Sequence, residues 1–235
     1  MPQIAVINES TAIADADVQK MLPAFAQQWN KDLAPVWGVD PANFTFIPKN
    51  QMPTAGSWWL VFFDNSDQAG ALAYHDLTND GLPISKVFVK TLQADHASLS
   101  VGATHELCEM AVDPWLNGAY QDSKGVFWAG EVCDPVESDQ YGYQIGDVLV
   151  TDFITPNWYA PEHAGKNIDF KNHANTAFAV LPGGYAQKFD PRHGWVQVTG
   201  HMAASTQRSH AAPGSRRERR TRLSEGLQRS KVNRG

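Results

Sequence analysis

The segment Thr104-His105-Glu106-Leu107-Cys108-Glu109-Met110-Ala111-Val112-Asp113-Pro114 gathers one imidazole and three carboxylates into little more than two helical turns. On a helix advancing about 100° per residue, Glu109 lies roughly 40° from His105, Asp113 roughly 80° and Glu106 roughly 100°. The remaining arc is apolar, so the spacing predicts a two-faced helix with an acidic side. Carboxylates on neighbouring turns repel one another unless they are solvated, protonated or neutralised by a cation. His105 and Glu109, at i and i+4, have the spacing of two metal ligands on one helix face. Glu106, one residue after the histidine, is then placed to act as general base on a metal-bound water. The plainer alternative is an amphipathic helix with a solvated acidic face.

A catalytic zinc usually has three protein ligands plus water. The next acidic cluster is Gly130-Glu131-Val132-Cys133-Asp134-Pro135-Val136-Glu137. The loop between Glu109 and Glu131 is long enough to return beside the helix, which makes Glu131 the expected third ligand. Asp134 is expected behind it, or in its place. Asp113 lies about 12 Å from His105 along an unbroken helix, so it is expected to brace the Asp-Pro turn instead. One imidazole with two carboxylates is a hard, anionic set. Zn2+ is the expected ion, with Mn2+ or Ca2+ as alternatives.

Positioning these groups requires a helix and something for it to pack on. Ser98-Leu99-Ser100 offers N-cap residues, and Pro114 disfavours helical geometry at Asp113, so the spacing predicts a helix ending there. Upstream, QIAVI (3–7), Asn43 to Ile47, SWWLVFF (57–63) and Leu82 to Val89 read as strands. Asn8-Glu9-Ser10 reads as a cap before a helix from about Ala12 to Leu33, with Pro23 as a kink. Residues 115–200 are rich in Gly, Pro, Asn and aromatics and read as loops with short strands. The order predicts an α+β domain over 1–200: a mixed sheet, a long N-terminal helix, an active-site helix and a loop-rich C-terminal half.

Composition narrows the function classes. The 235 residues are 43% hydrophobic, with eight Trp and eleven Phe, enough for a real core. Residues 1–200 carry 23 Asp+Glu against 10 Lys+Arg, whereas residues 201–235 carry 9 Lys+Arg against 2 Asp+Glu. That last segment has no Phe, Tyr, Trp or Ile and reads as a disordered basic tail. Nucleic acid is expected to engage at most weakly, through the tail, because no aromatic is interleaved there to stack on bases. No apolar run approaches the roughly 20 residues of a membrane span, and no signal-like start is present, so a cytoplasmic location is expected. Cys108, on the apolar side of the helix, and Cys133 are expected as reduced thiols. Tyr141, Tyr143, Tyr159, His163 and His173 lie downstream, with none singled out to stabilise an oxyanion. Leu181-Pro182-Gly183-Gly184-Tyr185 reads as a tight turn.

With strands preceding a HExxE helix, the segment over about 98–137 resembles the zincin metallopeptidases. HELCEMAVDP with the later Glu131-x-x-Asp134 also resembles a pattern in bacterial and phage proteins and in plant phosphate-induced (exordium-like) proteins. The resemblance implies a zincin-like fold and a zinc peptidase or amidase acting on a peptide or protein. It implies His105 and Glu109 as ligands, Glu106 as base, and Glu131 or Asp134 completing the set. It also implies Ile84 to Val89 as the edge strand that holds substrate. The competing expectation is a non-catalytic binding or accessory module with a structural metal.

Overall fold

The computed structural model describes residues 1–68, 71–163, 165–190 and 194–200. The tail expected at 201–235 lies outside them. In chain order the elements are β1 (Gln3–Asn8), α1 (Asp15–Gln27), a π-helical turn (Gln28–Leu33), α2 (Ala34–Trp37), β2 (Asn43–Ile47), β3 (Trp58–Phe63), β4 (Ala73–Leu77), β5 (Pro83–Phe88), α3 (Val89–Ala94) and α4 (Leu99–Val112). The C-terminal half adds β6 (Ala119–Gln121), β7 (Phe127–Ala129), β8 (Tyr143–Ile145), β9 (Val148–Val150), β10 (Tyr185–Asp190) and β11 (Gly194–Thr199), with short 3-10 turns between them. The class is α+β, as expected. Among the described residues no helix is long and apolar enough to cross a membrane.

The main sheet has the order β2-β1-β3-β5-β4. β2, β1, β3 and β5 pair in parallel, and β4 alone runs antiparallel, against β5. The two edges are therefore β2 and β4, and the edge beside α4 is β4. The expectation for Ile84 to Val89 fails because an apolar run such as PISKVF suits a strand with neighbours on both sides. The short AYHDL, for which the sequence pattern predicts no strand, carries His75 and Asp76 and suits an edge.

Inward-facing side chains of the sheet (Ile4, Val6, Leu60, Phe62, Val87) form one core with Val18 and Phe25 of α1 and Leu107 and Met110 of α4. Trp29, Trp128 and Trp158 are buried in it, while Trp115 is exposed. The N-terminal helical path runs on past Leu33 to a left-handed Gly38 (φ +68°), with Pro23 inside its first segment. Asn8 and Ser10 do not cap α1, whose N-cap is Ala14. Ser10 instead donates to Asp64 Oδ1 at 2.6 Å, and Asn8 Nδ2 reaches Asp15 Oδ1 at 2.8 Å, tying the β1–α1 loop to the end of β3.

α4 begins at Ser98, whose Oγ accepts from Val101 N at 3.3 Å, and closes at Asp113. Both ends agree with the sequence. The two-faced expectation does not hold in its solvated form, since α4 is covered nearly all round. Sheet strands β4 and β5 lie along one side and β9 along another.

The other cover is the continuously buried segment 128–137. It is pinned by Ile154 N to Val132 O at 2.7 Å, Leu181 N to Pro135 O at 2.9 Å and Tyr159 OH to Ala129 O at 2.9 Å. Gly184 packs so tightly on this segment that a Cβ there would stand 2.6 Å from the carbonyl oxygens of Asp134 and Pro135. Both obstacles are backbone atoms, so relief requires moving the segment. Gly184→Ala is expected to cost about 1–3 kcal/mol in urea unfolding, and an unchanged midpoint would contradict the packing described.

Candidate metal centre

The sheet register brings a histidine to the helix. Val6 pairs with Leu60, Leu60 with Ser85, and Ser85 with His75, so these four occupy one row across the sheet. Directly paired residues project to the same face. Ser85 marks that face as the one under α4, since its Oγ donates to Glu106 O at 3.2 Å. His75 therefore enters the helix's acidic side from β4. Its Nδ1 lies 3.2 Å from Glu106 Oε2 and 3.6 Å from Glu109 Oε2.

His105 approaches Glu109 from α4 itself. Its Nε2 is 3.3 Å from Glu109 Oε1 and 3.2 Å from Asp134 Oδ1. Glu109 Oε1 also accepts from Cys133 N at 3.3 Å, which fixes that carboxylate against the covering segment. Two triads result, His105/Glu109/Asp134 and His75/Glu109/Glu131, each offering three ligand atoms within 4.8 Å of one another. All are buried: His75 is 1% exposed, Glu109 3%, Glu131 2%, Asp134 2%, and Glu106 beside them 6%.

Depth makes these charges interact strongly. Burial draws the His105 pKa down, but Glu109, Asp134 and Glu106 together push harder and hold it well above the ordinary histidine value. Burial, then Glu109, lifts the Asp134 carboxyl well above the usual range, with His105 opposing. Tyr185, at the start of β10, also has its pKa raised by burial and by Asp134, Glu137 and Glu109. It therefore keeps its proton and hydrogen-bonds Asp134. The cluster holds protons where a cation could replace them.

The structure thus brings His105, Glu106, Glu109, Glu131 and Asp134 together. Within the triads, Asp134 stands beside His105, and Glu131 groups with Glu109 and His75. Asp113 stays apart from both. Its Oδ1 accepts from Asn117 N at 2.9 Å and Gly118 N at 2.8 Å, bracing the turn after α4. His75 and Tyr185 were not read from the sequence. His75 sits in a polar stretch that reads as loop, and Tyr185 in a Pro-Gly-Gly turn. Cys108 and Cys133 are both buried, with no disulfide between them.

A third group, Asp152, Asp169 and His173, lies on the loops after β9. His173 Nδ1 is 3.0 Å from Asp152 Oδ2 and 3.4 Å from Asp169 Oδ2. Backbone amides of Phe153 and Lys171 donate to Asp152, and those of His173 and Ala174 donate to Asp169. Burial, then the hydrogen-bonded Asp169, pushes Asp152 from 3.8 to about 9. Between those values the folded chain holds a proton that the unfolded chain lacks, so this stabilisation is full below about pH 4 and falls away toward pH 9. Asp152→Asn, which mimics the protonated acid, is expected to flatten the decline of unfolding free energy over that window. An identical decline in the variant would contradict the shared proton. No family model, curated protein or solved structure gives a significant match to this chain, so the chemistry of the site has to be read from its own residues.

Proposed function

We infer that the chain is a metal-dependent hydrolase of peptide or amide bonds, built on a zincin-like arrangement of sheet and HExxE helix. The observation that carries this reading is the buried triad of His105, Glu109 and Asp134, with Glu106 on the adjacent turn. Three donors, one imidazole nitrogen and two carboxylate oxygens, make a set that a divalent ion such as Zn2+ accepts while leaving a coordination position for water. Mn2+ is the alternative suited to the same hard ligands, and Ca2+ the next. The carboxylate pressure that raises the pKa values of His105 and Asp134 marks a place where positive charge is stabilising.

When bound, the ion would polarise the scissile carbonyl and make its water more acidic. The chain's own residues supply the rest. Glu106 accepts the water's proton and returns it to the leaving nitrogen. His75, 3.2 Å from Glu106 Oε2, fixes the orientation of that base. Tyr185 does the same for Asp134 from the opposite side, as partners behind a ligand commonly do. β4 is the terminal strand of the sheet, and an extended peptide added along its outer edge would run beside His75. That placement favours a peptide or protein substrate.

A second reading, a binding module with a structural ion, draws on the depth of the cluster. Among the ion pairs around α4, the most open member is His105, with an 11% exposed side chain. The two readings separate at Glu106. On the hydrolase reading, Glu106→Gln lowers kcat/KM on a peptide library about 10²–10⁴-fold while the metal content of the purified protein is unchanged. Glu109→Ala loses the metal as well. Metal-free wild type that takes up neither Zn2+, Mn2+ nor Ca2+ would overturn both readings.

A further inference from the structure

We propose that the cluster takes two divalent ions bridged by Glu109, an inference that rests on its being a metal centre. The two oxygens of Glu109 face different imidazoles: Oε1 lies 3.3 Å from His105 Nε2, and Oε2 lies 3.6 Å from His75 Nδ1. A carboxylate serving one ion has no need of a second imidazole on its far oxygen. A carboxylate bridging two ions has its oxygens so divided. Each half also has its own third ligand, Asp134 beside His105 and Glu131 beside His75. The histidines come from unconnected elements, α4 and the edge strand β4, so the pairing is not a by-product of helical spacing.

Charge leads to the same count. Glu106, Glu109, Glu131 and Asp134 are four carboxylates, all at least nine-tenths buried, around two imidazoles. One divalent ion would leave a buried excess of two negative charges when all four are ionised. Two ions match those four and leave only Glu137, buried nearby but in neither triad, and uncompensated buried charge is expensive. Ions in two-metal hydrolytic sites stand about 3.5–4 Å apart, a span that a single bridging carboxylate covers. Glu106, 3.2 Å from His75 Nδ1, then borders the second ion, so that nitrogen orients Glu106 when one ion is bound and would hold the second ion when two are.

The test uses the full chain, stripped with chelator and titrated with Mn2+, with bound metal counted by mass spectrometry and coupling read by electron paramagnetic resonance. The expected result is two ions per chain with the spectrum of a spin-coupled pair. His75→Ala and Glu131→Gln each keep one ion and show an uncoupled spectrum, with circular dichroism confirming that at least one variant is folded. One ion per chain, lost in His105→Ala and kept in His75→Ala, would overturn the bridged pair and leave the proposed function standing. Two uncoupled ions, or a second ion retained in both folded variants, would also overturn it. No bound ion at all would overturn this inference together with the function it rests on.

Discussion

Burying a cluster of carboxylates is the constraint around which this fold is arranged. Glu106 and Glu109 are on a helix that the chain covers from the sheet side, from β9 and from the segment 128–137, and that cover itself brings in Glu131, Asp134 and Glu137. An isolated carboxylate removed from water costs several kcal/mol, so such a cluster persists only when something positive or a proton stands among the oxygens. The two imidazoles and the raised pKa of Asp134 meet that need in part. Divalent ions would meet it fully, and in doing so would turn a structural cost into a reactive centre.

The surrounding architecture can be understood as support for that cluster. The parallel core β2-β1-β3-β5 gives α4 a rigid apolar bed, and the antiparallel β4 adds one strand beyond it, carrying His75 in register with Ser85. Ser85 of β5 hydrogen-bonds the backbone of α4 itself, so the strand that pairs with β4 is tied directly to the helix. On the far side, Cys133 N binds Glu109, and Gly184 allows β10 to press on the turn at Asp134-Pro135. Tyr185 follows directly and reaches Asp134. Loops of the C-terminal half thus do the work of a second layer, and their Gly and Pro content reflects close approach rather than looseness.

Much of this was legible in the sequence where the signal is local. The helix carrying His105, Glu106 and Glu109 is bounded by Ser98 and by the residue before Pro114, both local rules. β1, β2, β3 and β5 are visible in their apolar runs, and Asp113 is set apart from His105 by helical rise alone. The rest depends on pairing between distant segments. His75 belongs to a five-residue polar strand whose partner is chosen by sheet register, and no local pattern announces that partner. The preference between Glu131 and Asp134 beside His105 follows from how the turn after Cys133 folds against α4, which spacing along the chain does not determine. The edge strand is misplaced because the pattern predicts no strand at 73–77, so the resemblance falls on Ile84 to Val89, although an edge strand is where polar residues such as His75 and Asp76 are tolerated.

The central claim is that the His105, Glu109 and Asp134 ligands surround an ion. Anomalous diffraction at the zinc absorption edge, from crystals of protein equilibrated with Zn2+, tests it most directly. An anomalous peak is expected within ligand distance, about 2.0–2.2 Å, of His105 Nε2 and of carboxylate oxygens of Glu109 and Asp134. Zinc found only at Asp152, Asp169 and His173, or no peak between α4 and segment 128–137, would contradict it.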